Sequence, residues 1–259
     1  MNLRYYKQLT QKIRFEILEI IYKSKSSHIG SCFSIVDILC VLYKQRINKF
    51  DDIFILSKGH ATLALYVVLA EFRYFRKNLL KKYGLNNTKL MSHANHKVNG
   101  IELSTGSLGH GLSYGVGKCL AFKIKKNKKK VFVLMSDGEL NEGSNWEALM
   151  FASHHKLNNL IAIVDYNKIQ SLDFVNKTIK LEPLANKFKN FGLNVKVING
   201  HNYKEIEKAI STLHHIKPTI IIANTIKGKG VKEMENKVLW HYKTPDENQF
   251  MKFKKELSK

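Results

Sequence analysis

Two apolar runs, Val131-Phe132-Val133-Leu134-Met135 and Leu160-Ile161-Ala162-Ile163-Val164, bracket a segment that carries Trp146, Leu149, Met150 and Ala152 at helical spacing. Short continuous apolar runs read as buried strands, and the segment between them reads as a helix beginning near Ser144. This is a β-α-β unit, which constrains the fold more than any other stretch. Its two strands must be parallel, with both carboxyl ends pointing the same way. Asp137 follows the first run and Asn167 the second, 30 positions on (167 − 137). Both are therefore expected at the carboxyl edge of neighbouring strands, where open parallel sheets bind ligands.

That pairing suits a hard divalent cation. Magnesium takes oxygen ligands in an octahedron and keeps part of its shell for water or phosphate. Asp137 offers a carboxylate oxygen, Asn167 an amide oxygen, and a backbone carbonyl just beyond Asn167 a third. An isolated Asp137-Gly138 would be an ordinary turn; two such turns closing adjacent parallel strands favour a site.

The remaining chain repeats the strand-helix alternation. Residues 9–22 form an amphipathic pattern, with Ile13, Ile17, Ile20 and Ile21 on one face. Ser34 is placed to cap the next helix, with Asp37 in its first turn. Ile53-Phe54-Ile55-Leu56 reads as a strand that turns through Ser57-Lys58-Gly59-His60 into a helix. Residues 79–99 are polar and irregular. Pro183 falls in the first turn of a helix that stops at Gly192. A strand over 195–198, a helix over 203–215 and a strand over 219–223 follow. The pattern predicts an α/β fold, a doubly wound, mostly parallel sheet flanked by helices. Between the first helices and the β-α-β unit, residues 104–117 bring Gly106, Gly109, Gly111, Gly115 and Gly117 ahead of a helix start. Glycine lets backbone amides approach a phosphate, and the helix end is positive. A dinucleotide fold fails on context, because 98–105 is not an apolar strand and no acidic residue follows at the required distance.

The net charge of +22 raises the question of nucleic acid. The arginines are only Arg4, Arg14, Arg46, Arg73 and Arg76, so the excess is dispersed lysine rather than the arginine forks that read bases. The densest run, 123–130, fits a solvated helix end. We expect no specific nucleic-acid partner, although a positive field favours anionic substrates. No apolar stretch is long enough to span a membrane, and the N-terminus lacks a signal-peptide apolar region. Cys32, Cys40 and Cys119 read as buried thiols of a reducing cytoplasm.

The stretch Ser136-Asp137-Gly138-Glu139-Leu140-Asn141-Glu142-Gly143-Ser144-Asn145-Trp146-Glu147, closing at Asn167-Lys168-Ile169, resembles the thiamine diphosphate motif of transketolases. Within that family it is similar to the N-terminal half encoded as a separate chain. The resemblance runs through almost all of the chain and implies one diphosphate-binding (PP) domain over 1–259, with a C-terminal extension from about 226. It implies Asp137, Asn167 and the Ile169 carbonyl as magnesium ligands. It also implies cofactor contacts from His60, Gly106, Leu108, Gly109, Gly138 and Glu142. Ser-His-Ile-Gly, Ser-Lys-Gly-His-Ala and the Lys-Gly-x-Gly loop implicate His28, His60 and His241 in substrate contact or proton transfer. In Ser92-His93-Ala94-Asn95-His96 the matching residue is His93, with His96 as its rival. Ser136 replaces the usual glycine, and His110 a frequent glutamine. Glu142 matches either a glutamate that networks across a dimer or a helix N-terminal carboxylate.

The resemblance further implies magnesium-dependent transfer of a two-carbon ketol unit between sugar phosphates, as in the pentose phosphate pathway. The family's pyrimidine-binding domain has no match in this sequence. We therefore expect a partner in the form of a separate C-terminal subunit, an α2β2 assembly and no activity from this chain alone. A deoxyxylulose-phosphate synthase-like or 2-oxo acid dehydrogenase-like subunit is an alternative, as is a thiamine diphosphate-binding remnant without catalysis.

Overall fold

The computed structural model describes residues 1–47 and 51–258, so Lys259 of the expected 1–259 domain lies outside it. Five strands, β1 (Ile53–Leu56), β2 (Val131–Ser136), β3 (Leu160–Tyr166), β4 (Asn194–Asn199) and β5 (Thr219–Asn224), form one sheet. Its order is β1-β2-β3-β5-β4, and every pairing is parallel. Parallel neighbours need long crossovers, which put helices on both faces and bury the central strands completely. The runs at 131–135 and 160–164 are apolar at every position for this reason.

Side chains alternate across the sheet. Phe132, Leu134, Ile161 and Ile163 enter one core, beneath α1 (Leu3–Ser24), α2 (Ile29–Leu42), α3 (Thr62–Glu71), α7 (Tyr203–Ser211) and α8 (Glu247–Leu257). Val131, Val133, Ala162 and Val164 enter the other, beneath α4 (Gly111–Ile124), α5 (Gly143–His154) and α6 (Leu184–Asn190). Cys32, Cys40 and Cys119 are buried free thiols. Among the described residues no helix is long and apolar enough to cross a membrane.

Several local expectations need correction. Helix α1 starts at Leu3, because the Asn2 side chain accepts the Tyr5 N–H at 3.0 Å and caps it. Ser34 is no cap: α2 starts at Ile29 and is buried along its whole length. Its Oγ instead donates to Asp165 Oδ2 at 2.6 Å. Asp37 also lies mid-helix, where Arg14 grips both of its carboxylate oxygens. Pro183 precedes α6 rather than entering it. Helix α7 stops at Ser211 instead of His215; the His214 ring takes the N–H groups of Ile216 and Lys217, which turns the chain towards β5. Helix α8 was not expected, and a capping box between Asp246 and Gln249 starts it.

The register fixes what meets at the carboxyl edge. Ser136 pairs with Asp165, so Asp137 and Asn167 open the loops of adjacent strands. Lys58 follows β1 and Lys227 follows β5, so four neighbouring strand ends face one crevice.

Candidate functional site

Asp137 is buried. Its Oδ1 accepts the Gly138 N–H at 2.7 Å, and its Oδ2 accepts the Lys168 N–H at 2.6 Å across the strand gap. It belongs to no ion pair among the described residues. Burial, with Asp165 beside it, raises its pKa to about 7. Asn167 donates from Nδ2 to Asp165 Oδ2 at 3.1 Å, and its Oδ1 accepts the Ile169 N–H at 3.1 Å. The Ile169 carbonyl in turn accepts from Lys227 Nζ at 3.2 Å.

Beneath Asn167 lies a buried polar network. Asp165 ends an apolar strand, so it needs partners for both oxygens. Oδ2 takes Lys58 Nζ at 2.5 Å, Ser34 Oγ and Asn167 Nδ2; Oδ1 takes the Thr225 hydroxyl. Burial would raise this carboxyl, but Lys58 overrides it and holds the pKa below the ordinary value. The network joins α2, β3 and the loops after β1 and β5.

Lys227 is the opposite case to Lys58. The residue is 1% exposed, and its ammonium reaches the carbonyls of Ile169 and Gln170 and the Nδ1 of His241 at 2.8 Å. It has no carboxylate partner among the described residues. Burial, aided by Lys58, lowers its pKa to about 8.

Four imidazoles line one cavity with Lys227, centred on His28. The His28 ring centroid lies 5.4 Å from that of His60, 6.0 Å from His93 and 5.1 Å from His241. Burial lowers His28 to about 4 and His241 to about 3, with nearby cationic groups adding to the effect. His60 falls well below its usual value through burial and the Lys58 charge, and His93 falls through burial. All four rings are neutral near pH 7, so each can donate or accept a hydrogen bond. His96 parts from this group: it binds Ser104 at 2.7 Å and does not line the cavity.

These side chains line a cavity of about 270 Å³, together with Gly106, Leu108, Ser136, Gly138 and Tyr242. Gly109 and Glu142 stay outside its lining and meet each other: a Cβ on Gly109 would come within 2.7 Å of the Glu142 Cβ. Glu142 is exposed. Buried Glu139 takes the inner position, accepting from the Ser57 hydroxyl, the Gly109 N–H at 2.9 Å and the Ser136 N–H at 3.3 Å. It thereby ties the glycine loop to the turn after β2. The Ser136 hydroxyl accepts the Glu139 N–H at 3.3 Å, so the residue in place of glycine bonds within its own turn.

A larger hollow of about 440 Å³ lies between α1 and residues 77–85. It gathers no strand ends and no unpaired buried charge, so size does not identify the site. In the strand-end cavity, Asp137, Asn167 and the Ile169 carbonyl offer hard oxygen donors, which suit magnesium better than a soft metal. Lys58 and Lys227, which line the same cavity, suit an anion. Sequence reasoning assigned no role to Lys58, Glu139, Asp165 or Lys227. Asp165 carried a signal, as a carboxylate that extends an apolar run. Lys227 opens the Lys-Gly-x-Gly motif, but that motif pointed to His241 and not to the lysine itself.

Known proteins share this sequence pattern and this architecture. The family model described as the transketolase, thiamine diphosphate binding domain, matches residues 5–258. The chain is 36% identical to one subunit of the apulose-4-phosphate transketolase of Phocaeicola vulgatus, over 96% of this chain and 92% of that protein. It is 40% identical to a 6-deoxy-6-sulfo-D-fructose transketolase subunit of a Clostridium species, over 88% of this chain and 87% of that one. The crystal structure of transketolase from Campylobacter jejuni superposes with a TM-score of 0.90 at 30% identity, covering all of this chain and 43% of that chain.

Proposed function

Since this chain belongs to the transketolase thiamine diphosphate-binding domain family, we propose that it is the diphosphate-binding subunit of a two-chain transketolase. The reaction is reversible, magnesium-dependent transfer of a two-carbon ketol unit from a ketose phosphate to an aldose phosphate. One observation carries this reading. Among the described residues, the buried carboxylate of Asp137 and the buried ammonium of Lys227 form no ion pair, and both line one cavity. A magnesium diphosphate supplies both missing charges.

The residues fit that group. Asp137, Asn167 and the Ile169 carbonyl would hold magnesium, which leaves coordination positions for phosphate oxygens and water. Lys227 would turn from the Ile169 carbonyl to the diphosphate, while Lys58 stays with Asp165 and adds positive potential from below. Gly106 and Gly138 keep the lining low, so that backbone can approach the ligand, and Leu108 gives the same wall an apolar surface. Bound thiamine diphosphate supplies a nucleophilic carbon and an electron sink. His28, His60, His93 and His241 bind sugar hydroxyls and pass protons, which neutral imidazoles do in either direction. The cavity opens to solvent and needs a cover to exclude water.

That cover is a separate pyrimidine-domain subunit in an α2β2 assembly. Support comes from two relatives named as transketolase subunits, which this chain matches over most of their length. Their names specify a phosphorylated and a sulfonated sugar, so the substrates proposed here are sugars with a terminal anion. The three buried free thiols suit a cytoplasmic setting. Mixing the chain with the pyrimidine-domain subunit, magnesium and thiamine diphosphate should generate ketol transfer from xylulose 5-phosphate to ribose 5-phosphate. Cofactor binding without transfer to any aldose would favour a non-catalytic remnant instead.

A further inference from the structure

A buried charge cluster lies outside the cavity and ends on the backbone beside Lys227. Arg14 of α1 donates to Asp37 of α2 through Nη1 at 3.2 Å and Nη2 at 2.6 Å. Burial opposes ionisation of Asp37, but Arg14 and His201 overcome it and bring its pKa to about 2. Asp37 is therefore an acceptor only. His201 Nδ1 lies 2.6 Å from Asp37 Oδ2, so Nδ1 carries the proton. The opposite ring nitrogen, Nε2, accepts the Ile226 N–H at 2.8 Å, so it is unprotonated. One tautomer of neutral His201 satisfies both bonds.

Ile226 is the second residue past the paired end of β5 and the one before Lys227. Thr225 is already tied to Asp165 and to the Tyr166 carbonyl. Gly200, next to His201, packs so tightly that a Cβ would meet Thr225 Cγ2 at 2.4 Å. Beyond Lys227, the Gly228 N–H bonds to the Gly30 carbonyl at 3.0 Å. We propose that His201 is a positioning residue for the anion site: it accepts the Ile226 N–H and so fixes the turn that delivers the Lys227 ammonium into the cavity. The link runs from α1 and α2 through one imidazole to a ligand-facing lysine, as outer-shell partners orient inner ligands elsewhere. It rests on the diphosphate reading for its purpose, and on geometry alone for the turn itself.

Two conservative variants separate positioning from mere burial. In His201→Gln the side-chain oxygen stands near the position of Nε2 and can accept from Ile226, whereas in His201→Asn the amide stands near Nδ1 and can only satisfy Asp37. Hydrogen exchange at the Ile226 amide and calorimetric affinity for magnesium pyrophosphate would be measured on the full chain. His201→Asn should exchange faster and bind more weakly, each by roughly tenfold, as for the loss of an outer-shell hydrogen bond. His201→Gln should restore both. Wild-type exchange and binding in His201→Asn, or equal losses in both variants, would overturn the assignment. If wild-type chain fails to bind pyrophosphate, the diphosphate reading falls, and the Ile226 exchange rates still decide the role of His201.

Discussion

Asp137 holds Lys168 across the gap between adjacent strands: its Oδ2 accepts the Lys168 N–H at 2.6 Å, one residue beyond Asn167. Lys168 has a φ of 65°, a conformation that non-glycine residues rarely adopt. The bond fixes the loop that carries Asn167 and Ile169, so in the proposed magnesium site one carboxylate would both offer a ligand oxygen and set the geometry of the other two donors.

Replacing Lys58 by Met should be strongly destabilising. The ammonium and Asp165 are both almost fully buried, and removal of one charge leaves the other without compensation. The expected loss is about 3–5 kcal/mol in urea unfolding. A loss below about 1 kcal/mol, the scale of exposed pairs, would show that the pair is hydrated in solution.

The pocket histidines predict acid sensitivity. His28 and His241 are held at about 4 and 3 when folded, whereas the unfolded chain takes up those protons near 6.5. The folded state therefore binds fewer protons, and stability should fall as the pH drops from about 6.5 towards 4. His28→Gln should flatten that slope in unfolding measurements across the range. Asp37 acts lower down: held near 2 against an ordinary 3.8, its contribution is complete above about 4 and lost as pH falls through 2.

Gly109→Ala should disturb the glycine loop. Its φ is 85°, and a Cβ would lie 2.7 Å from both Glu142 Cβ and Ser144 Oγ. Left-handed strain of roughly 1–2 kcal/mol adds to crowding of similar size. We expect a melting temperature lower by about 4–10 °C, with weaker diphosphate binding, by calorimetry.

The central sheet was legible because parallel strands must be apolar throughout, and 131–135 and 160–164 are. Asp137 and Asn167 were legible because strand ends and turn residues coincide there. Ser34 misled, since a short hydroxyl serves equally as a helix cap or as a buried donor, and only the contact with Asp165 decides. Lys227 stood in view as the first residue of the Lys-Gly-x-Gly motif, but its burial was not legible, because a buried lysine reads like a solvated one. Helix α8 buries only Phe253 and Leu257, too few positions to show a helical period. Glu139 binds the glycine loop from three residues before the exposed Glu142, and its burial was not legible because both are carboxylates of one turn.

The most direct test titrates thiamine diphosphate into wild-type chain and Asp137→Ala, with magnesium and with chelator. The wild type should bind only when magnesium is present, and Asp137→Ala should lose about 10–100-fold or more in affinity, as when a metal site is damaged. Equal affinity in the two proteins, or wild-type binding unchanged by chelator, would contradict a magnesium diphosphate held between Asp137 and Asn167.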